Sequence, residues 1–416
     1  MIISALRPVA LLVLLLGLTA CATPRPAPRA EVGAGPGPVI LISIDGFRSD
    51  YLDRGLTPHL GGLADRGLRA PMRASFPTKT FPNHYTLVTG LTPARHGLVD
   101  NIMRDPDHPG RLFRLGDRSE VTDPLWWEEG LPIWVSAERA GLKTATLFWP
   151  GSEAAIHGVR PSHWRTFDQS MSAEARVDQL LAWLDVPAAE QPAFLALYFD
   201  EVDTDGHRYG PDAPELNAAL ARTDAAIGRL VAGLEARGLL SAANLIVVSD
   251  HGMAPTSRDR VIYLEDLVSV EDGQVLSTGP HLTFEPARGR EAQAAAALLR
   301  DHAHMSCWRK AELPERFAYR HRRVASLFCL AETGWEILPR DVAARRPQVG
   351  GAHGFDPDDP TMTAIFVAAG PAFRVGIELP RIDNVDVYPL LSRLLALQPA
   401  PHQGDLTAFA PGLALD

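Results

Sequence analysis

Seven side chains, scattered along the chain, could together hold two metal ions around one hydroxyl group. They are Asp45, Thr80, Asp203, His207, Asp250, His251 and His353. Carboxylates and imidazoles without thiolates are ligands that zinc takes in catalytic sites, where one position stays open for water or substrate. A threonine hydroxyl is a poor nucleophile at neutral pH, and coordination to a divalent cation activates it. The set therefore predicts metal-assisted chemistry with a threonine nucleophile.

Two pairs in this set have spacings that let both members reach one ion. Asp203 and His207 are four residues apart, which places two side chains on one face of a helical turn. Asp250 and His251 are adjacent, so on a loop they can bind the same ion or bridge two. Any single member has a simpler explanation, because a lone loop histidine is usually a hydrogen-bonded or surface residue. Thr80 alone would be read as a helix-capping hydroxyl, so only the joint placement favours a site.

Short apolar runs precede the acidic members and predict the elements that position them. These runs are residues 39–44 before Asp45, 194–199 before Asp203, and 245–249 before Asp250. Such runs are typical of buried strands in a parallel sheet, and open α/β sheets bind ligands beyond the carboxyl ends of their strands. Helical patterns alternate with the strands at residues 58–66, 131–140, 173–184 and 215–236. The sequence therefore predicts an α/β fold with a doubly wound, mostly parallel sheet.

The sequence changes character between residues 257 and 350, which predicts a small α+β insertion within a catalytic domain of residues 39–400. Strand-like stretches at 282–284 and near Cys307 and Cys329 surround a predicted helix at 291–304. Residues 363–368 then return to the central sheet. Another helix is predicted to begin at residues 82–83, which places Thr80 beside the amides of a helix N-terminus, where anionic oxygens are favoured.

Composition indicates a globular protein of enzyme size. The 416 residues are 46% hydrophobic and carry a formal net charge of −10. An acidic balance argues against binding to a nucleic-acid backbone as the main role, since nucleic-acid binders usually present a basic face. We therefore expect no stable nucleic-acid complex.

The pattern of residues 1–21 predicts a bacterial lipoprotein signal peptide. Arg7 precedes an apolar stretch at 9–16 that is too short to span a bilayer, and the segment ends in Leu-Thr-Ala-Cys at 18–21. This tetrapeptide resembles a lipobox, in which Cys21 is lipidated; an ordinary signal peptide cleaved near Ala20 is the alternative. Residues 22–38 form a predicted Pro/Gly-rich linker.

These segments predict a protein exported to the periplasm and held to the membrane only by its lipid anchor. Ala22, in place of an aspartate after Cys21, favours the outer membrane. In an oxidising compartment the remaining pair, Cys307 and Cys329, favours a disulfide over two free thiols. The sequence does not fix this pairing.

Six motifs in unbroken order carry a family resemblance. They are KTFPNHY at 79–85, HGLVDN at 96–101, FWPGSE at 148–153, the Asp203-x-x-x-His207-x-Tyr209-Gly210-Pro211 pattern, SDHGM at 249–253 and GAHG at 351–354. Together they resemble the nucleotide pyrophosphatase/phosphodiesterase family of the alkaline phosphatase superfamily over about residues 38–400, and the chain is similar to a bacterial member. The resemblance implies a sheet of the alkaline phosphatase type and two Zn²⁺ ions as cofactors.

The resemblance also implies a role for each matching residue. Asp203, His207 and His353 would bind one zinc ion, and Asp45, Asp250 and His251 the other, together with the Thr80 oxygen. Thr80 would attack phosphorus to form a covalent nucleotidyl-threonine, and water would then release a nucleoside 5′-monophosphate. Asn101 and the Phe81 backbone amide would bind a nonbridging phosphate oxygen, and Lys79 would contact the substrate.

Substrate choice rests on fewer residues. Phe81 and Phe167 resemble the aromatic pair that stacks on a nucleobase in this family, although Phe167 stands where a tyrosine is more usual; the alternative is that both are core residues. Nucleotides such as ATP or dinucleotides are the expected substrates. Phosphodiester or phosphomonoester hydrolysis on lipid-headgroup or phosphonate esters at the same two-zinc site is the alternative. A binding protein with closed, structural metal sites remains a further alternative, whereas a sulfatase is disfavoured because its C/S-x-P-x-R motif is absent.

Overall fold

The computed structural model describes residues 37–414. The predicted signal peptide and all of the predicted linker except residues 37 and 38 lie outside the described residues. The strands are β1 (Val39–Ile44), β2 (Leu68–Arg73), β3 (Ile102–Met103), β4 (Phe113–Arg114), β5 (Thr144–Leu147), β6 (His163–Arg165), β7 (Phe194–Phe199), β8 (Asn244–Val248), β9 (Ala254–Ser257), β10 (Val261–Tyr263), β11 (Gly273–Ser277), β12 (His281–Pro286), β13 (Met305–Arg309), β14 (Leu327–Ala331), β15 (Glu336–Leu338), β16 (Val349–Ala352), β17 (Ala364–Ala369), β18 (Ile377–Glu378) and β19 (Ile382–Asp383). The α-helices are α1 (Pro58–Asp65), α2 (Thr80–Thr89), α3 (Pro93–His96), α4 (Arg118–Val121), α5 (Ile133–Arg139), α6 (Ala173–Leu184), α7 (Glu201–Tyr209), α8 (Pro214–Ala236), α9 (Glu291–Leu298), α10 (Arg340–Arg345) and α11 (Val387–Leu394).

A nine-stranded mixed sheet lies at the centre of residues 37–414. Its strand order is β18-β2-β17-β8-β1-β7-β5-β6, and β19 also pairs with β2. The pairs from β8 through β1, β7 and β5 to β6 are parallel. In contrast, β17 runs antiparallel to both β2 and β8. The predicted α/β class with a large, mostly parallel sheet is confirmed.

Alternating side chains of β1 contribute to two hydrophobic cores on opposite faces of the sheet. Val39 and Leu41 belong to a core that includes residues of α2, α5 and α11. Ile40 and Ile42 belong to another that includes residues of α1, α6 and α8. A strand that is buried on both faces reads as a continuous apolar run, because neither face meets water. Helices therefore cover both faces, as in a doubly wound fold.

The strand register brings the acidic residues to one edge. β1 pairs with β7 from Val39↔Phe194 to Ile44↔Phe199, so the two strands end at the same level. β8 pairs with β1 through Ser43↔Val248. The segments that leave these three strands therefore emerge together at the carboxyl edge of the sheet, where such folds bind ligands.

A separate four-stranded sheet forms within the region of the predicted insertion. Its order is β11-β12-β14-β13, and all its pairs are antiparallel. Cys307 of β13 and Cys329 of β14 are joined by a disulfide. The helix predicted at 291–304 is shorter than expected, because α9 ends at Leu298 and the chain then turns, with a left-handed backbone at His304, to enter β13.

The prediction that a helix begins at residues 82–83 is also wrong by two residues. α2 begins at Thr80, and the backbone N–H of Asn83 donates to the Lys79 carbonyl at 3.1 Å. Pro82 fits inside the first turn because the first amides of a helix have no intrahelical acceptor, so its missing N–H costs nothing there. Thr80 therefore lies in the first turn itself. None of the helices within residues 37–414 is long and apolar enough to cross a membrane.

Candidate active site

Asp45, Asp250 and His251 surround one point at the carboxyl edge of the sheet. The Nε2 atom of His251 lies 3.4 Å from Asp45 Oδ1 and 2.9 Å from Asp250 Oδ2. The Thr80 hydroxyl lies 3.4 Å from the same Nε2. All four residues are buried. The structure thus places one predicted ligand group directly beside the predicted nucleophile.

Asp203 lies between two histidines and forms a second group. Its Oδ2 is 3.5 Å from His207 Nε2, and its Oδ1 is 3.6 Å from His353 Nε2. The His353 ring stacks on that of His251 with centroids 3.5 Å apart, and ligand atoms of Asp203, His251 and His353 all lie within 4.8 Å of one another. The two groups are therefore adjacent, and the structure brings all seven predicted side chains together.

Gly46 permits the close approach of the two acidic loops. Its backbone has φ of +68°, a left-handed conformation that favours glycine, and a Cβ atom there would lie 3.1 Å from Asp203. A larger residue would push Asp203 away from Asp45. The turn after β1 is thus part of what sets the spacing between the two groups.

The three clustered histidines are held in one tautomer by the backbone. Each Nδ1 lies 2.8 to 2.9 Å from a carbonyl oxygen: Gly351 for His207, Gly252 for His251 and Thr78 for His353. Because a carbonyl can only accept, each Nδ1 carries the proton and donates. In a neutral ring the Nε2 lone pair then faces the site, which is how metal-binding histidines are oriented.

The carboxylates fit metal ligands for a second reason. Three of their oxygens, Asp45 Oδ1, Asp203 Oδ1 and Asp250 Oδ2, are buried and accept no hydrogen bond from the residues that the structure describes. Burial, with the neighbouring Asp250 and Asp203, raises the pKa of Asp45 well above its ordinary value. Burial, with His251 and His207, lowers the pKa of His353 well below its ordinary value, whereas Asp250 raises the pKa of His251 against the effect of burial. Crowded carboxylates beside the neutral His353 ring fit divalent cations, which would satisfy the orphaned oxygens.

Two buried residues that the sequence reasoning missed support this cluster. The Tyr198 hydroxyl donates to Asp45 Oδ2 at 2.6 Å. His84 Nδ1 donates to the Thr80 carbonyl at 2.9 Å, and its Nε2 lies 2.8 Å from the Ser43 hydroxyl. A lone tyrosine within an otherwise apolar strand is a signal that could have pointed to Tyr198, since a buried hydroxyl needs a partner. His84 stands inside the KTFPNHY motif, yet nothing in the sequence identified its partners.

Asn101 and Phe81 lie together as the resemblance implies. The backbone N–H of Phe81 donates to Asn101 Oδ1 at 3.0 Å. This contact fixes which end of the carboxamide faces Phe81, so the Nδ2 group is the donor that points elsewhere. Lys79 lies near the 353–354 turn, because a Cβ on Gly354 would be 3.0 Å from the Lys79 ammonium nitrogen. Burial lowers the pKa of Lys79, although Asp100 opposes this shift.

The two predicted base-binding rings differ in their surroundings. Phe81 is partly buried, with ring centroids 5.8 Å from Phe113 and 6.0 Å from Trp127. Phe167 is 43% exposed and meets Phe148 edge-to-face at 5.4 Å. The alternative that Phe167 is a core residue is therefore wrong. Its exposed ring lies 6.3 Å from that of Tyr198, the residue that holds Asp45.

Known proteins resemble this chain over most of its length. A family model described as type I phosphodiesterase / nucleotide pyrophosphatase matches residues 39–356. An uncharacterised pyrophosphatase/phosphodiesterase of Schizosaccharomyces pombe is 36% identical over 90% of this chain and 80% of its own length. Ectonucleotide pyrophosphatase/phosphodiesterase family member 3 of Bos taurus is 37% identical over 88% of this chain, which spans only 43% of that protein.

Solved structures share the fold. Murine ectonucleotide pyrophosphatase/phosphodiesterase 5 superposes with a TM-score of 0.86 at 34% identity, covering 91% of this chain and all of that one. An inactive threonine-to-alanine variant of the murine protein, in complex with AMP, superposes equally well.

Proposed function

The chain belongs to the type I phosphodiesterase/nucleotide pyrophosphatase family, whose named members are hydrolases, and we propose that it cleaves phosphodiester or pyrophosphate bonds of nucleotides to release nucleoside 5′-monophosphates. One observation carries this proposal. The Thr80 hydroxyl lies in the first turn of α2, 3.4 Å from His251 in a cluster of buried carboxylates and imidazoles. A hydroxyl in that position can attack an anionic phosphorus centre only if cations and amide dipoles offset the negative charge.

Thr80 is the nucleophile in this proposal. Its Oγ1 gives up its proton and forms a bond to phosphorus while the bond from phosphorus to the leaving oxygen breaks, which leaves a nucleotidyl group on Thr80. Water then gives up a proton and forms a new bond to phosphorus, and the bond to Thr80 breaks. The Thr80 oxygen takes up a proton, which restores the hydroxyl, and the nucleoside 5′-monophosphate departs. The inactive threonine variant of the murine relative supports this role.

Asp45, Asp250 and His251 would hold one zinc ion, and Asp203, His207 and His353 the other. Two bound zinc ions would supply charge stabilisation to the attacking and leaving oxygens. Tyr198 keeps Asp45 oriented, and the backbone carbonyls keep the histidine Nε2 atoms facing inward. Asn101 donates from Nδ2 to a nonbridging phosphate oxygen, and Lys79 adds a positive charge nearby.

Nucleotides are the proposed substrate class because an aromatic surface lies beside the nucleophile. Phe81 follows Thr80 directly, and the exposed ring of Phe167 offers a flat face to solvent. Stacking between such rings accepts any nucleobase, since every base has a π-face. The AMP complex of the murine relative fits this proposal.

Product analysis tests the proposal. Purified protein is offered ATP, a dinucleotide and a phosphocholine ester in parallel, and products are separated by chromatography. We expect nucleoside monophosphate from the first two substrates, loss of release after chelation, and loss in Thr80→Ala with Thr80→Ser as the matched hydroxyl control. Cleavage of the phosphocholine ester alone would favour the lipid-headgroup alternative. Bound metal without hydrolysis of any ester would favour a binding protein.

We also propose that the protein is exported and lipid-anchored through Cys21. The proposed catalytic domain spans residues 39–400 and includes the insertion at 257–350. The disulfide between Cys307 and Cys329 supports an oxidising compartment. Fractionation of cells that express wild type or Cys21→Ser tests the anchor. We expect wild type in the outer-membrane fraction and the variant outside it. Equal distribution of the two would contradict lipidation at Cys21.

A further inference from the structure

We propose that His281, the first residue of β12 in the four-stranded sheet, is a positioning residue for the reaction. It would hold the segment that carries Asn101 so that the Asn101 carboxamide stays aligned with the phosphate. This inference rests on the proposed function and adds a residue that lies 181 positions from its partner. It also gives the small sheet a part in the chemistry.

The first observation is a buried contact between His281 and Asp100. His281 Nε2 lies 2.8 Å from Asp100 Oδ2, and both side chains are at most 3% exposed. A carboxylate can only accept, so His281 donates. An unpaired buried carboxylate is costly, and this contact therefore fixes where the Asp100 side chain can lie.

The second observation links Asp100 to the phosphate-binding group. The other oxygen of Asp100 accepts the backbone N–H of Asn101 at 2.6 Å. Asn101 in turn accepts the backbone N–H of Phe81, the residue after the nucleophile, at 3.0 Å. A continuous chain of hydrogen bonds thus runs from His281 to the first turn of α2.

The third observation concerns the other side of the His281 ring. Its Nδ1 lies 3.4 Å from the carbonyl oxygen of Gly354, the residue after His353. The ring also stacks on Phe328 of β14, with centroids 5.1 Å apart. His281 is therefore held by its own sheet and contacts two loops that carry site residues.

The electrostatic surroundings fit a positioning role. Burial raises the pKa of Asp100, but His281 and Lys79 lower it further, so the carboxylate is held in its charged form. The groups that face Asp100 are thus the imidazole of the small sheet and an ammonium group next to the nucleophile. Without His281, Lys79 would be the remaining charged group that stabilises the Asp100 carboxylate, and the Asn101 segment could shift toward it.

A double-mutant cycle with Asn101 tests this inference. His281→Leu removes the donor at similar volume, and His281→Gln keeps an N–H donor near the position of Nε2. If His281 acts through Asn101, we expect His281→Leu to lower kcat about 10- to 100-fold in wild type, but less than about 3-fold when Asn101 is already alanine. KM and metal content should change little, and His281→Gln should recover most of the loss.

Several results would overturn the inference. An equal loss of kcat in both backgrounds would mean that His281 does not act through Asn101, and a loss of bound metal would mean that it acts through the metal site. A glutamine variant as impaired as the leucine variant would exclude the donor role. If His281→Leu does not fold, Asp100→Asn enters the same cycle with the same expected coupling to Asn101.

His321 offers a matched control. Its Nε2 lies 2.8 Å from Glu129 Oε2, so it also joins a histidine of the 257–350 region to a carboxylate outside that region. We expect His321→Leu to show no coupling to Asn101. Activity of the wild type distinguishes failure of the proposed function from failure of this inference. If wild type releases no nucleoside monophosphate, the proposed function is refuted. If wild type is active but the effects of the two substitutions are additive, only the role of His281 is refuted.

Discussion

Buried carboxylates occur in two different settings in this protein. Asp105 is fully buried and receives charged hydrogen bonds from Arg323 Nε at 2.7 Å and Arg322 Nη2 at 2.9 Å. Burial raises its pKa, but these arginines and the Asp107 amide outweigh that effect and lower the pKa to about 2. At the edge of the central sheet, Asp45, Asp203 and Asp250 each keep a buried oxygen without a hydrogen-bond donor among residues 37–414.

The difference distinguishes a carboxylate that is paired within the protein from carboxylates that could hold a metal ion. A buried charge that is fully paired holds two segments together, and removing one partner leaves the other uncompensated. We interpret the unsatisfied, buried oxygens that cluster at the sheet edge as candidate ligands for a metal cation. The comparison therefore predicts opposite consequences for the same substitution, aspartate to asparagine, in the two settings.

Asp203→Asn should have the largest effect. This change removes a charged ligand between His207 and His353, so we expect kcat to fall about 1,000-fold or more together with metal content. Without metal, stability should be unchanged or higher, because the substitution relieves repulsion among crowded carboxylates. Elemental analysis, initial rates and thermal unfolding of the metal-free protein check these points. Activity within about tenfold of wild type would show that Asp203 is no ligand.

Asp105→Asn should have the opposite profile. The buried Arg323 guanidinium would lose its shortest carboxylate contact and keep only Glu129 at 3.3 Å, which we expect to cost about 3 kcal/mol of the free energy of unfolding. Turnover per folded molecule and metal content should stay at wild-type levels. Denaturant unfolding and rate measurements below the midpoint check this prediction. An unchanged midpoint, or a loss of turnover without a loss of stability, would contradict a structural role for Asp105.

The pH dependence of the free energy of unfolding should show the contribution of the paired Asp105 carboxylate. The pKa of Asp105 is about 2 in the folded protein, below the value of about 3.9 expected for an unfolded aspartate. A lowered folded pKa stabilises the fold above the unfolded value, and this stabilisation disappears as the pH falls from about 4 toward 2. Wild type should therefore lose more stability than Asp105→Asn over that window. Parallel loss in both proteins would contradict the assignment.

Tyr198→Phe should weaken the metal site less than loss of a ligand does. The variant lacks the hydroxyl that donates to Asp45 at 2.6 Å, and removal of such a supporting hydrogen bond typically lowers metal affinity about 10- to 100-fold. Titration with a competing chelator measures this affinity. At saturating metal, most activity should return. Wild-type affinity would show that Tyr198 does not orient Asp45.

Phe167→Ala should have the smallest effect, and it should be confined to substrate binding. Loss of one stacking surface should raise KM for nucleotides about tenfold with kcat little changed. Phe167→Tyr is the matched control and should retain the wild-type KM. A fall in kcat with an unchanged KM would place Phe167 in the chemistry rather than in base binding.

Local sequence predicted the elements better than their contacts. The strands over Val39–Ile44 and Phe194–Phe199 match the predicted runs because both faces of each strand are buried, so every position except Ser43 and Tyr198 is apolar. The observed start of α2 differs from the predicted one because a proline in such a sequence favours the first position of a helix. The Pro82 ring is also tolerated at the third position, where the amide has no intrahelical acceptor.

The clustering of the seven residues could be predicted because each member follows a strand or stands in a recognisable motif. The partners of Tyr198 and His281 could not be predicted, because they lie 153 and 181 residues away and no local pattern records such contacts. The predicted oxidising compartment and the even cysteine pair favour the disulfide between Cys307 and Cys329, and the register of β13 with β14 places the two residues opposite each other.

The stereochemical course at phosphorus distinguishes a covalent intermediate on Thr80 from direct attack by water. A nucleotide phosphorothioate diester of known configuration is hydrolysed in isotopically labelled water, and the configuration of the released monophosphorothioate is determined. Attack by Thr80 followed by attack of water inverts the configuration at phosphorus twice, so we expect overall retention. Overall inversion would mean that water attacks the substrate directly, and it would contradict a covalent intermediate on Thr80.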